Sequence, residues 1–193
     1  MMSIDLITSA VAMYNSTDRW YHDYDHVEFC LKQVKLYSHL VSDEEAVRTA
    51  LFFHDVIYVP GYEANELESA AWAVDYLDKI GASARMGQRV HELIMDTTHK
   101  TEARTSDGRL VQDIDLLGFA KLDWRESSEG IRWEFRAVPG EIYWPERLKV
   151  LRYFAERRLY HTEELYEKYE DQAKAKIKEE MQEIQDKYEG ESK

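Results

Sequence analysis

Apolar residues recur every three or four positions along almost the whole chain, and this spacing is typical of α-helices. Two apolar runs that would also suit strands, 51–59 and 116–122, lie inside longer stretches with the same helical spacing. Only 8 glycines and 3 prolines interrupt the 193 residues, so few positions oppose helix formation. The sequence therefore predicts an all-α protein.

The boundaries of the predicted helices follow from the apolar positions and from the residues between them. Ser42 and Glu45 have the capping-box spacing that is typical of a helix N-terminus. Gly81 followed by Ser83 predicts the end of one helix and the start of the next. The predicted helices span about 2–15, 20–40, 43–58, 64–80, 83–98, 107–118 and 126–137, with a long last helix from about 141.

The last part of the chain, 156–193, is highly charged and carries an apolar stripe at helical spacing. This pattern predicts a long amphipathic C-terminal helical extension. We expect one helical domain over 1–155, with the helix of 156–193 packed as part of the same fold. The alternative is that the stripe forms the seam of a homodimer.

The charge of the chain limits its partners. With 38 acidic and 25 basic residues, the formal net charge is −13, a field that repels nucleic-acid polymers and anionic membranes. No apolar run approaches the roughly 18 residues of a membrane span, and the first residues lack the positive charge of a signal peptide. The single cysteine, Cys30, excludes an internal disulfide and fits a reducing compartment. We expect a cytoplasmic protein with a small-molecule partner, and neither a nucleic-acid polymer nor a membrane as partner.

The residues that could support chemistry are histidines and carboxylates, because the glycine motifs of nucleotide-binding loops and the serine motif of hydrolases are missing. His22 and His26 are four residues apart, a spacing that places both imidazoles on one face of a helix. His26 lies beside the apolar residues Val27 and Leu31, so we expect its side chain to be buried.

Further ligand candidates occur in the next predicted helix and beyond it. His54 lies on an apolar stripe and is followed by Asp55, while Asp115 lies among apolar neighbours. A buried carboxylate requires a cation, and no Lys or Arg lies between positions 48 and 79. Together with His26, these three residues form a nitrogen and oxygen ligand set that suits Mn, Fe, Co, Ni or Zn better than Ca. The set leaves coordination positions on the metal for water and substrate. It is also compatible with Mg, and with either one or two bound metal ions.

The order of these residues resembles the HD superfamily of metal-dependent phosphohydrolases. A more local likeness covers almost the whole chain, and it is to a family of small bacterial proteins known as predicted HD-superfamily phosphohydrolases. The resemblance implies an HD-domain helical bundle that binds a divalent metal. It rests on Arg19-Trp20-Tyr21-His22-x-x-x-His26, Phe53-His54-Asp55-Val56-Ile57-Tyr58, Asn65-Glu66-x-x-Ser69-Ala70, Thr98-His99, Asp113-x-Asp115-Leu116-x-x-Gly118, Ile131-Arg132-x-Glu134-Phe135 and Arg147-x-x-x-Leu151.

The spacing Tyr21-His22-x-x-x-His26 is also similar to the opening motif of cyclic-nucleotide phosphodiesterases, in which the first His is the general acid and the second is a metal ligand. The resemblance implies the same roles for His22 and His26. A metal lowers the pKa of bound water towards about 7 and neutralises phosphate charge. We therefore expect metal-bound hydroxide to attack phosphorus while His22 protonates the leaving oxygen.

Several neighbouring polar residues are candidates for supporting roles. Glu66 and His99 could position the attacking water or hold a second metal ion. The alternative for Glu66 is an exposed first-turn residue that follows Asn65 as the N-cap of its helix. For each basic candidate the alternative is an ordinary surface cation. The predicted substrate-binding residues are Arg19, Asn65, Lys100 and Arg132.

The predicted function is hydrolysis of a phosphoester or phosphoanhydride bond in a small phosphorylated molecule, with a nucleotide as the leading candidate. Two alternatives stay open. One is a regulatory module that keeps the metal site and binds a nucleotide without turnover. The other is an iron oxygenase on the same scaffold, in which His99 would help to bind a second iron. The presence of all four ligands and of His22 favours the hydrolase.

Overall fold

The computed structural model describes residues 2–121 and 123–191, and every regular element among them is helical. The predicted all-α class is confirmed. No helix in this described part is both long enough and apolar enough to cross a membrane. Short 3-10 helices lie at Ser38–Leu40 and Leu116–Ala120. The α-helices of the described residues are α1 (Met2–Tyr14), α2 (Tyr24–Leu36), α3 (Glu44–Phe53), α4 (Asn65–Lys79), α5 (Ala84–Asp96), α6 (Ser106–Asp115), α7 (Trp124–Glu134), α8 (Gly140–Ala155) and α9 (Glu163–Glu191).

The chain divides into two compact units, Met1–Asp115 and Leu116–Lys193. The N-terminal unit contains α1 to α6, and the C-terminal unit contains α7 to α9. The sequence predicts another division, into a domain of 1–155 and a helix of 156–193, which differs from these two units and stays a prediction.

Helix α5 is central to the packing of the N-terminal unit, since it contacts α3, α4 and α6. Its side chains Val90, Leu93 and Ile94 are fully buried, as are Ala50 and Leu51 of α3. Burial of a large aliphatic side chain contributes on the order of 1.5–3 kcal/mol. Helices α2, α3 and α6 also contact one another. This packing brings polar side chains at the ends of three helices to one place.

Helix α2 begins at Tyr24, later than the predicted start near 20. The cause is Asp23, whose carboxylate accepts hydrogen bonds from the backbone N–H groups of Asp25 and His26 and so acts as the N-cap. His22 therefore lies before the helix. The predicted shared helical face for His22 and His26 is wrong.

Helix α3 ends at Phe53, earlier than the predicted end near 58. The helix does not continue because the backbone carbonyl groups that follow Phe53 accept hydrogen bonds from a side chain instead of from helical N–H groups. The guanidinium of Arg19 donates hydrogen bonds to the carbonyl oxygens of Asp55 and Val56, at 2.6 and 2.8 Å. His54 is thus the C-cap residue of α3, and Asp55 lies just beyond the helix.

The start of α3 is capped by Asp43, which accepts a hydrogen bond from the N–H of Ala46, and the predicted capping box at Ser42 is wrong. The buried carboxylate of Asp107 accepts hydrogen bonds from the N–H groups of Ser42 and Asp43, at 2.7 and 3.1 Å. Arg89 donates to the same carboxylate at 3.0 Å. Asp107 therefore links the starts of α3 and α6 to α5.

In the C-terminal unit, α8 and α9 are separate helices, so the predicted continuous helix from 141 is wrong. Glu170 stabilises the segment between them, because its carboxylate accepts hydrogen bonds from the N–H groups of Leu159 and Tyr160 at 3.1 Å. Lys174 donates to the carbonyl groups at the end of α8.

Helix α9 is held to its own unit by an apolar stripe and a buried ion pair. Ala173, Ile177 and Ile184 are buried. Arg147 donates to both carboxylate oxygens of Glu180 at 2.8 and 3.1 Å, and both side chains are buried. The stripe thus packs within the C-terminal unit, and the dimer seam stays a prediction.

The close approach at Gly108 generates a stability prediction. A Cβ atom there would overlap the carboxylate of Asp96 and lie 2.9 Å from the Cβ of Ala103 and 3.0 Å from the hydroxyl of Thr105, so Gly108→Ala requires these neighbours or the backbone to shift. We expect a loss of about 1–3 kcal/mol in the free energy of unfolding, measured by urea denaturation.

The matched control is Gly87→Ala in α5, where the nearest atom to a new Cβ is a methyl of Val74 at 3.7 Å, an ordinary contact. This change removes a helix-interior glycine and should stabilise the protein by up to about 1 kcal/mol. Equal effects of the two substitutions would contradict the packing argument.

Candidate metal centre

Two buried imidazoles meet between α2 and the end of α3. His26 and His54 are 4% and 1% exposed, and their Nε2 atoms lie 3.2 Å apart. Nδ1 of His54 lies 2.9 Å from the carbonyl oxygen of Leu51, which can only accept, so this nitrogen carries a proton and its N–H donates a hydrogen bond to the carbonyl. Nε2 of neutral His54 is therefore unprotonated and able to bind a metal. The Sγ atom of buried Cys30 lies 3.7 Å from Nε2 of His26.

Two carboxylates face these nitrogen atoms. Oδ1 of Asp115 lies 3.2 Å from Nε2 of His26 and 3.4 Å from Nε2 of His54. Oδ2 of Asp55 lies 3.0 Å from Nε2 of His54 and 3.8 Å from Nε2 of His26. The ligand atoms of His26, His54 and Asp115 all lie within 4.8 Å of one another. The fold thus brings together the four residues that the sequence analysis selected, which we call the His-Asp cluster.

The spacing and the chemistry of the His-Asp cluster fit a divalent metal ion. Bonds of about 2.0–2.2 Å to nitrogen and oxygen place neighbouring ligand atoms about 2.8–3.6 Å apart in tetrahedral or octahedral geometry. The shortest contacts in the cluster, 3.0 to 3.4 Å, fall within this range. Among the described residues, no Lys or Arg side chain forms an ion pair with Asp55 or Asp115. The group of His26, His54 and Asp115 can therefore hold a metal ion.

The protonation of the His-Asp cluster follows from its burial and its charges. Burial lowers the pKa of His54, but the charges and hydrogen bonds of Asp55 and Asp115 outweigh it, so this pKa lies well above its ordinary value of 6.5. Burial raises the pKa of Asp115, and hydrogen bonds from three histidines hold it well below the ordinary range. The charge of His54 likewise keeps the pKa of Asp55 low against its burial. Both carboxylates are therefore charged, and a proton and a metal compete for His54.

His99 contacts the other oxygen of Asp115. Its Nε2 lies 2.8 Å from Oδ2 of Asp115, so the two carboxylate oxygens face different partners. The backbone φ of His99 is 52°, a left-handed conformation that costs a residue with a side chain about 1–2 kcal/mol. Gln112 supports this loop, because it donates to the carbonyl groups of Asp96, at the end of α5, and of Thr101, and accepts a hydrogen bond from the N–H of Ala103. The structure thus places His99 where it orients Asp115, and its catalytic role stays a prediction.

His22 lies beside the His-Asp cluster without being part of it. Its ring stacks on Tyr58 with centroids 3.9 Å apart and 22° between the planes, and its centroid lies 6.4 Å from that of His26. No role for Tyr58 is predicted from the sequence, in which its only signal is its position shortly after Asp55.

Arg19 connects the segment before α2 to the end of α3. Its guanidinium donates hydrogen bonds to the carbonyl oxygens of His22, Asp55 and Val56, at 3.1, 2.6 and 2.8 Å. It also lies 5.1 Å from the ring centroid of Tyr14. These contacts position His22 and Asp55, a role that the sequence analysis did not predict. Substrate binding by Arg19 stays a prediction.

The first turn of α4 holds the segment that follows Asp55. The side chain of Asn65 accepts a hydrogen bond from the N–H of Val59 and donates one to its carbonyl, both at 2.9 Å. Ser69, one turn later, bonds to the N–H and carbonyl of Ile57 at 3.1 and 3.2 Å. The N-cap residue is Ala64, so the predicted N-cap role of Asn65 is wrong. Substrate binding by Asn65 stays a prediction.

Glu66 lies on the same turn of α4 and is half-buried. Burial raises its pKa, the nearby charges of Asp55 and Asp115 raise it further, and the exposed Lys100 lowers it. The charges of Lys100, Asp55 and Asp115 therefore all act on the carboxyl group of Glu66.

Arg132 belongs to the C-terminal unit. It donates a hydrogen bond to the carbonyl of Phe135 at 2.7 Å, and its guanidinium lies 4.6 Å from the ring centroid of Tyr143. Its predicted role in substrate binding stays a prediction.

Comparisons of the chain with protein-family models, with curated proteins and with solved structures find no match. The resemblance to the HD superfamily stays a prediction.

The His-Asp cluster generates a prediction for metal binding. We expect Mn²⁺, Ni²⁺ or Zn²⁺ to raise the unfolding temperature, since a ligand at 100 times its Kd stabilises the folded state by about 2.7 kcal/mol. Asp115→Asn keeps the side-chain shape but removes a charge, and it should weaken metal binding at least about tenfold in calorimetric titration.

The matched control is His91→Asn, because His91 lies on α5 and outside the His-Asp cluster. It should bind metal as the unchanged protein does. Equal loss of affinity in both variants would contradict this assignment of the site.

The pKa of His54 generates a second prediction. Because this pKa is raised, a metal must displace a proton from His54 at pH values below it, and affinity should fall about tenfold for each unit of decreasing pH. Titration with Mn²⁺ at about pH 6, 7 and 8 measures this dependence. A metal affinity that does not change with pH would contradict the prediction that the metal displaces a proton from His54.

Proposed function

We propose that this protein is a divalent-metal-dependent phosphohydrolase of the HD type, acting on a phosphoester or phosphoanhydride bond of a small phosphorylated molecule. The observation that carries the proposal is the convergence of His26, His54, Asp55 and Asp115 within hydrogen-bond distances. The histidine side chains are 3% and 1% exposed, whereas those of Asp55 and Asp115 are 13% and 17% exposed. The accessible side of the site is therefore its carboxylate side, as a catalytic rather than an enclosed structural metal site requires.

The ligand chemistry supports a transition metal. Two imidazole nitrogens with two carboxylate oxygens suit Mn, Fe, Co, Ni or Zn, whereas Ca and Mg prefer oxygen ligands alone. When bound, such a metal would lower the pKa of a coordinated water and neutralise phosphate charge. Glu66 and His99 lie at the edge of the site and are the residues that would help to hold a second ion.

His22 is suited to protonate the leaving oxygen. Its half-buried ring lies beside the His-Asp cluster, and stacking on Tyr58 limits its rotation. A protonated imidazole can donate its proton to a leaving oxygen, which is the role of a general acid. Arg19 holds the backbone of His22 relative to that of Asp55, so the distance between the acid and the ligands is constrained.

Two charged residues at the edge of the site would contact the substrate or its attacking water. The exposed ammonium of Lys100 would bind a phosphate oxygen. The carboxylate of Glu66 would accept a hydrogen bond from the attacking water.

The net charge favours a small substrate. A mononucleotide brings few phosphates, which one dication and one or two basic side chains can neutralise. A polynucleotide would meet the field of the whole chain, with its formal charge of −13. The charge thus favours a small phosphorylated molecule over a polymer, and within that class a nucleotide is the leading candidate.

The proposal predicts the effect of replacing His22. With Mn²⁺, Co²⁺ or Ni²⁺ and a panel of nucleoside mono-, di-, tri- and cyclic phosphates, His22→Ala should lower kcat about 10²- to 10⁴-fold while metal content stays the same. Release of phosphate or pyrophosphate is the measurement. Asp115→Ala should lose both metal and turnover, and His91→Asn should keep both.

Two outcomes would contradict the proposal in different ways. Unchanged turnover in His22→Ala would exclude its role as the general acid. A fully metallated protein that binds nucleotides and releases nothing would exclude the hydrolase and favour the regulatory module.

A further inference from the structure

Among the described residues, His99 is the only one other than glycine whose backbone φ is positive, at 52°. The left-handed conformation is unfavourable for histidine because its Cβ atom lies too close to the backbone, whereas glycine adopts it without steric cost. The course of the backbone alone therefore does not explain a histidine at this position. Unfavourable conformations of this kind persist where the surrounding structure holds them, and they are frequent at functional sites.

Hydrogen bonds on both sides of His99 hold its backbone in this conformation. The side chain of Gln112, which is 2% exposed, donates to the carbonyl of Asp96 at 2.9 Å and to that of Thr101 at 2.7 Å. The N–H of His99 also donates to the carbonyl of Asp96, at 3.2 Å. Gln112 lies about one turn before Asp115 on α6. The loop of His99 is therefore attached to the helix that ends at Asp115.

The imidazole of His99 binds one oxygen of Asp115 and leaves the other oxygen for the His-Asp cluster. Nε2 of His99 lies 2.8 Å from Oδ2, whereas Oδ1 lies 3.2 and 3.4 Å from Nε2 of His26 and of His54. A charged carboxylate only accepts hydrogen bonds, so Nε2 of His99 carries the proton of this bond. The side chains of His99 and Asp115 are 14% and 17% exposed, which limits competition from water.

We propose that His99 is a positioning residue, which presents Oδ1 of Asp115 to the metal site and keeps Oδ2 bound to its own imidazole. It contributes preorganisation, because a carboxylate that is already oriented loses less freedom when the metal binds. The unfavourable φ of His99 opposes folding, and in return the ligand is oriented before the metal arrives. The inference rests on the metal centre of the proposed function but not on hydrolysis, so metal affinity tests it.

Calorimetric titration of Mn²⁺ into the full chain tests the role of the imidazole. His99→Ala and His99→Gly both remove the imidazole, and each should bind Mn²⁺ at least about tenfold more weakly than the unchanged protein. His99→Gln keeps an N–H donor at a similar distance from the backbone and should bind within about threefold of the unchanged protein. The matched control, His91→Ala on α5, lies outside the His-Asp cluster and should bind Mn²⁺ as the unchanged protein does.

A double-mutant cycle tests whether His99 acts through Asp115. If it does, His99→Gly should cause no further loss of Mn²⁺ affinity in the Asp115→Asn protein, although each single substitution weakens binding. Losses that add in the double variant would overturn the proposal. Loss of a second Mn²⁺ site with unchanged affinity at the first would make His99 a metal ligand, which would also overturn it.

The unfavourable backbone of His99 has a separate signature in stability. In the metal-free protein, His99→Gly should unfold about 2–4 °C above His99→Ala, because glycine tolerates the left-handed conformation and alanine does not. At His91, inside α5, the order should reverse, since glycine is unfavourable within a helix. These unfolding curves also verify that the variants with weaker Mn²⁺ binding are folded.

The outcomes separate this inference from the proposed function. Unchanged Mn²⁺ affinity in His99→Gly, no recovery of affinity in His99→Gln, or a lower unfolding temperature for His99→Gly than for His99→Ala would each overturn the positioning role and leave the metal centre intact. Absence of Mn²⁺ binding in the unchanged protein would overturn the positioning role together with the proposed function.

Discussion

The convergence of two charged carboxylates with two imidazoles is the interaction on which the N-terminal unit depends. Asp55 and Asp115 both approach Nε2 of His54, at 3.0 and 3.4 Å, in a largely buried site. Buried like charges are costly unless a cation lies between them. The ligands come from α2, from the C-cap of α3, from the residue after it and from the end of α6. The packing of these elements is therefore coupled to the charge of the site.

Irregular backbone near the site is stabilised by polar side chains that take the place of helical hydrogen bonds. Arg19 satisfies carbonyl groups just after α3, Asn65 and Ser69 hold the next residues, and Gln112 holds the loop of His99. Buried backbone groups need such partners, since each unsatisfied group costs about 1–3 kcal/mol. Because of these side chains, Asp55 and His99 can lie outside regular helices while the backbone groups around them keep hydrogen-bond partners.

Sequence periodicity predicted the helices and the cluster because both depend on local pattern. An apolar stripe that faces the core also buries any histidine that lies on it. Gly81, whose φ is 78°, and Ser83 form the predicted break between α4 and α5. The failures involve partners far along the chain. Asp107 displaces the capping box of α3 from more than 60 residues away, and Arg19 ends the same helix from 36 residues before Asp55. A pattern within one helix contains no information about such contacts.

The uneven exposure of the His-Asp cluster distinguishes its buried imidazoles from its more accessible carboxylates. The histidines are buried and anchored to the core, as the bond from His54 to the carbonyl of Leu51 illustrates. The more accessible side consists of Asp55 and Asp115, whose charges repel phosphate unless a dication offsets them. Only a site with such a cation would admit a phosphorylated molecule next to His22. On the proposed function, the same negative charge that favours metal binding makes a bound metal a precondition for binding a phosphorylated substrate.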